Sequence, residues 1–201
     1  MAAVIRQPAF IAMTAAVALA SLVGTGLMFH HLDLLAERGL TSSEAAVVFL
    51  PLTISGAVAA LVAGRASDRV PPRFVAAAAM VLMASSPLLV QEISTGVVAA
   101  LYGTVLGASG TIVRTVEATA LPRWFGIATI GQIRGILMAA GVGASAIGPL
   151  FVSVGRDLAG GYGPVLNLLA LISAALAVAV AVVRPPTTPP PVGVATMGPS
   201  A

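Results

Sequence analysis

The sequence predicts an all-α membrane protein with six transmembrane helices, and three observations carry that expectation. Of the 201 residues, 58% are hydrophobic and only 8% charged, against roughly 25% charged in soluble domains, so a water-facing surface could not be covered. Mean hydropathy is +1.04. Long apolar runs replace the alternation of a membrane β-barrel, and an aromatic content of 4% is too low for the girdles of such a barrel. A helix crosses a bilayer with about 20 apolar residues, which leaves room for about six spans.

The spans follow in order. Residues 9–29 form the first apolar run, and residues 30–43 are polar. The second run, 45–63, ends in the segment 64–73 (GRASDRVPPR). The third covers 74–90, and a short break at 91–95 leads to the fourth, 96–113. Residues 114–126, interrupted by Pro122 and holding Trp124, read as a connection. The fifth run covers 127–151, a polar link holds Arg156 and Asp157, and the sixth covers 164–183. Residues 1–184 are thus expected as one six-helix unit. Residues 185–201, rich in proline and small residues, are expected as a disordered cytoplasmic tail. Residues 1–26 also carry signal-peptide features in Arg6 and the triplet Ala18 to Ala20. The apolar run continues past that triplet to a full span, so a membrane helix is preferred.

All ten basic residues are arginine. With six spans, Arg6, Arg65, Arg69, Arg73, Arg114, Arg123, Arg134 and Arg184 fall on one side and only Arg38 and Arg156 on the other. That bias predicts cytoplasmic termini in a plasma or inner membrane. The excess of arginine is read as setting topology, and no nucleic-acid partner is expected; the lipid bilayer is the expected surrounding.

The absence of cysteine excludes disulfides and thiolate chemistry. No nucleophile–base pair, phosphate loop or metal-ligand spacing is present, so neither enzyme activity nor a metal or cofactor is expected. Asp33, Glu37, Glu44, Glu92 and Asp157 are expected on the outer side, and Asp68 and Glu117 on the cytoplasmic side. No carboxylate is therefore expected within a span to relay protons. His30, at the outer end of the first span, is a candidate anion-binding or titrating group, or an interfacial residue that ends a helix. Arg134, one turn into the fifth span, is a candidate bidentate partner for a substrate carboxylate, or a snorkelling arginine. Gly131, Gly135, Ala139 and Gly143 recur every four residues, which flattens one helix face for close packing.

Gly64-x-x-x-Asp68-Arg69-x-x-x-Arg73, after the second span, resembles the loop motif of the major facilitator superfamily, with Pro71 and Pro72 where that motif has Gly and Arg. Leu121-Pro-Arg-Trp-Phe-Gly126, Gly131-x-x-Arg134-Gly135, Gly148-Pro149 and Asp157-x-x-Gly160-Gly-Tyr162 are similar to the second half of carriers in the monocarboxylate and oxalate/formate branch. The resemblance reaches nearly to Arg184. It implies half of a major facilitator fold, with spans one to three and four to six as a 3+3 inverted repeat. It further implies that spans one and four line the solute cavity and spans two and five face a second half. Thr14, Ser21, Thr25, Tyr102, Thr104, Ser109 and Thr111 then supply candidate cavity polarity, with Thr104 foremost. Gly148 and Pro149 in the fifth span resemble part of an antiporter glycine-proline pattern, a helix-packing or bending element. The resemblance also implies a conformational gate of Gly64, Asp68, Arg69, Arg73, Arg114 and Glu117, in which Asp68 meets Arg114 and Arg69 or Arg73 meets Glu117.

The expected function is a half of a secondary transporter that moves a small solute, an organic anion such as a carboxylate, by alternating access. Its expected partner is a second six-helix half or another copy of the chain. The alternative is a truncated or regulatory membrane module without transport of its own.

Overall fold

The computed structural model describes residues 2–184, so the proline-rich tail at 185–201 lies outside the described residues. Within them the chain is helical: α1 (Ala2–Ile5), α2 (Pro8–Phe29), α3 (His31–Ala36), α4 (Ser42–Val47), α5 (Phe49–Arg69), α6 (Pro72–Leu89), α7 (Gly96–Phe125), α8 (Ile130–Ala159) and α9 (Tyr162–Val182). Six of these segments are long and apolar enough to cross a membrane, with α4 and α5 forming one span. The protein is a six-span integral membrane protein.

Local chemistry sets the ends. Pro8 and Pro72 occupy first-turn positions of α2 and α6, where the missing N–H is not needed. Thr41 and Glu44 form a reciprocal capping box before α4. Gly126 at φ 74° ends α7 and Gly160 at φ 71° ends α8, backbone conformations that a side chain resists.

Three connections differ from expectation: the polar link that holds Arg156 and Asp157 belongs to the last turns of α8, which runs to Ala159. The segment 64–73 is not a loop: α5 continues to Arg69, and α6 starts at Pro72. The segment 114–125 is the last two-fifths of α7, and Gly126 is its cap. Pro122 falls near its end and forfeits one bond, while Val116, Ala120, Leu121 and Phe125 are buried along it. Packing on this apolar face outweighs the single lost hydrogen bond.

The spans pack chiefly as three pairs: α2 with α8, α5 with α7, and α6 with α9. The α5/α7 pair is parallel and held in register by glycine. A Cβ on Gly103 would meet Val48, one on Gly107 would meet the Leu52 carbonyl, and one on Gly56 would lie 3.1 Å from the Thr111 hydroxyl. The α2/α8 pair is also parallel, with Gly148 against the Leu22 carbonyl and Gly26 against Gly148. Such close backbone approach maximises dispersion contact where no hydrophobic force acts between helices. In the antiparallel α6/α9 pair, Gln91 donates to Asn167 at 3.1 Å near one end, and Arg73 donates to the Val183 carbonyl at 3.4 Å at the other.

Candidate functional site

A groove of about 490 Å³ runs between α2 and α7 toward the arginine-rich end. Val17, Ala20 and Ser21 form one wall, and Gly107, Thr111, Arg114, Thr115 and Thr119 form the other. These α7 positions recur at intervals of three and four, so one helix face supplies them. Thr115 and Thr119 donate to the carbonyls of Thr111 and Thr115, at 2.9 and 3.0 Å. Their oxygens are left as acceptors only. Arg114 is exposed in the groove and is its cation.

Arg114 also borders a second cavity of about 100 Å³, shared by Glu117, Val17, Leu137 and Gly141. Glu117 is buried at 9% exposure, and both Arg134 of α8 and Arg114 attract it electrostatically. Arg114, Glu117 and Arg134 thus form a charged cluster where α7 meets α8.

The structure rearranges the expected gate. Asp68 pairs with Arg123 at 2.6 Å instead of with Arg114, and Arg123 also donates to the Ser67 carbonyl at 2.6 Å. The reason is register: Gly103/Val48, Gly107/Leu52 and Gly56/Thr111 all sit 55 residues apart, as do Asp68 and Arg123. Continued along two unbroken helices, that offset places Arg114 beside Ala59. Arg73 binds the end of α9 and lies over the Phe74 ring at 4.6 Å, away from Glu117. Arg69 is exposed at the last position of α5, and Gly64 has open space beside it. Glu117, expected in a cytoplasmic connection, is instead a buried residue of α7.

No family model matches the chain, and no curated protein matches it.

The remaining candidates separate. Thr104 lies one turn before Gly107 and donates to the Ala100 carbonyl at 2.8 Å, beyond the groove lining. His30 lies at the opposite end of α2 from Arg6, 8% exposed, with its ring nitrogens 3.1 Å from the Pro149 carbonyl and 3.1 Å from the Tyr162 hydroxyl. Gly148 and Pro149 form the α2/α8 crossing. Pro149 has no N–H to offer the Ser145 carbonyl, and Thr25 fills that role: its hydroxyl lies 3.0 Å from Ser145 O and 2.7 Å from Ser21 O. Gly131, Gly135 and Gly143 face open space in this chain and are exposed. Their flat face is turned away from the helices of its own bundle.

Sequence reasoning placed Arg114 in a gate and did not single out Thr115 or Thr119. The signal was present: Gly107, Thr111, Arg114, Thr115 and Ala118 repeat at helical spacing once α7 is carried past Val113.

Proposed function

We propose that the chain is a six-helix half of a major-facilitator-type secondary transporter, and that the α2/α7 groove is its site for a small organic anion such as a carboxylate. The observation that carries this reading is Arg114, a cation set among hydroxyls in an otherwise apolar bundle. An arginine fork holds a carboxylate in fixed geometry, and the Ser21 and Thr111 hydroxyls are the donors that line the groove beside it. The packing is compatible with an inverted repeat. Exchanging the first three spans with the last three turns α2/α8 into α7/α5 and returns α6/α9 to itself. The glycine contacts follow the same exchange, with Gly26 against Gly148 matching Gly107 against Leu52.

A groove open along one side needs an opposing wall for alternating access. The spans α5 and α8 are the least buried of the six, and α8 presents Gly131, Gly135, Ala139 and Gly143 outward. Both features suit docking of a second six-helix unit, either a separate half or another copy. The arginine bias orients both termini toward the cytoplasm of a plasma or inner membrane. No catalytic step belongs to this reading.

The test is uptake of a panel of small carboxylates into proteoliposomes. The purified chain as a monomer is expected to give no saturable uptake, and the two-unit assembly is expected to give it. Saturable uptake by a demonstrated monomer contradicts the two-unit requirement. Binding and uptake absent from every assembly favour a membrane module without transport.

A further inference from the structure

The chain has two histidines and two tyrosines, and they pair off at the arginine-poor end. The His30 ring lies 5.6 Å from that of Tyr162, and the His31 ring is stacked 5.9 Å from that of Tyr102. His30 approaches the Pro149 carbonyl through Nε2. A carbonyl only accepts, so Nε2 carries the proton, and Nδ1 accepts from the Tyr162 hydroxyl. His31 likewise donates from Nε2 to the Ala45 carbonyl at 3.0 Å. Two adjacent residues thus tie the end of α2 in opposite directions. His30 holds α8 and α9; His31 holds α4 and stacks against α7.

We infer that His30 is a proton-operated latch joining α2, α8 and α9, closed when its imidazole is neutral and opened by acid. The contact is built for the neutral ring, with one donor facing an acceptor and one acceptor facing a donor. A proton on Nδ1 reverses that contact: the Tyr162 hydroxyl must rotate its hydrogen away and offer its oxygen instead. It also puts a charge on a buried ring near a second cation, since His30 is 8% exposed and the Arg156 guanidinium lies 4.6 Å from the Tyr162 ring centroid. The charged groups around the latch are Arg156 and Asp157 of α8 and Asp33 and Glu37 of the α3 region. Tyr162 is the titratable group from α9, and α2 contributes the edge of Phe29. Glu37 is already engaged by Arg156 at 3.3 Å. Asp33, exposed and three residues after His30, is placed to receive the imidazolium once it swings out.

The closed and open positions make a bistable element of the kind that histidine protonation drives. Opening releases the first turn of α9 and removes the tie at Pro149, where α8 already lacks one backbone bond. His31, held between Phe49 and Tyr102 with ring centroids at 4.9 and 5.9 Å, stays as the pivot. The inference rests on the helix packing alone and stands whether or not the chain transports.

The test is amide hydrogen exchange of the full chain in lipid vesicles between about pH 8 and about pH 5, corrected for intrinsic exchange, the range over which histidine titrates. Amides from Val165 to Leu168, whose helical bonds close on the first turn of α9, are expected to exchange roughly tenfold faster in acid as the local contact opens. In His30→Gln the amide keeps one donor and one acceptor but does not titrate, so the acid response should vanish. An acid-insensitive wild type, or the same acid response in His30→Gln, would overturn the latch. If His30→Gln fails to fold, the imidazole nitrogen NMR signals of the wild type decide. The latch requires Nε2–H with a bare Nδ1 at neutral pH, and protonation of Nδ1 together with the rise in exchange. An Nδ1–H tautomer at neutral pH, or protonation without faster exchange, overturns it.

Discussion

Asp68 and Arg123 meet at 2.6 Å because α5 and α7 run parallel in a register that glycine contacts set three to five turns away. The same arginine caps the end of α5 through the Ser67 carbonyl, one of the four that a helix terminus leaves without a helical donor. The pair joins the arginine-rich ends of two spans. The Asp68 and Arg123 side chains are 67% and 48% exposed, so a double-mutant cycle should give a coupling of only about 0.2–1 kcal/mol. Arg123→Ala should cost more than Asp68→Ala, since it also frees the Ser67 carbonyl. Denaturant unfolding in detergent measures both, and equal losses would remove the capping role.

The glycine register is tested by adding one methyl group. Gly107→Ala and Gly148→Ala each push a Cβ into a partner-helix carbonyl. Overpacking of this kind should cost about 1–3 kcal/mol. Gly24→Ala, with nothing within 4 Å of the new atom, should instead be neutral or gain up to about 1 kcal/mol from helix propensity. Comparable losses at all three sites would mean that the crossings are looser than the packing implies.

Thr25 and Pro149 should be coupled. Thr25→Val removes the hydroxyl that serves the Ser145 carbonyl, at an expected cost of about 0.5–1.5 kcal/mol. Pro149→Ala restores the backbone N–H for the same carbonyl, so Thr25→Val should cost clearly less in that background. A cycle with no coupling would show that the Thr25 proton stays with Ser21.

Six spans put both termini of the chain on one side, and the arginine asymmetry predicts that this side is the cytoplasm. Reporter fusions at Arg6 and Arg184 should both read cytoplasmic. Opposite readings would show an odd number of spans.

Much of the fold was legible because apolar length is nearly the whole signal for a membrane helix. The second to sixth runs begin or end within a few residues of the helices found, except where a polar face continues a helix past the apolar core. The span α7 was cut short at Val113 because Arg114, Glu117 and Pro122 looked like a connection. Their helix persists since Val116, Ala120 and Leu121 stay buried on one side. The Asp68 partner was missed for the same reason, as Arg123 could face α5 only on an unbroken α7. The groove was half legible. Its hydroxyls on the first and fourth spans were expected through Ser21 and Thr111, whereas Arg114 was assigned to a gate. Which face of a helix meets which neighbour depends on register between spans, and local spacing carries no record of that.

The proposed role of Arg114, with the Ser21 and Thr111 hydroxyls, is to bind a small carboxylate. The most direct measurement is equilibrium binding of a panel of small carboxylates to the purified chain, comparing wild type with Arg114→Gln and with Arg65→Gln, a surface arginine outside the groove. The account predicts saturable binding of at least one carboxylate, weakened about tenfold or more by Arg114→Gln, as loss of a charge-assisted bidentate contact implies, and unchanged by Arg65→Gln. Equal binding by wild type and Arg114→Gln, or binding weakened equally at both arginines, would contradict it.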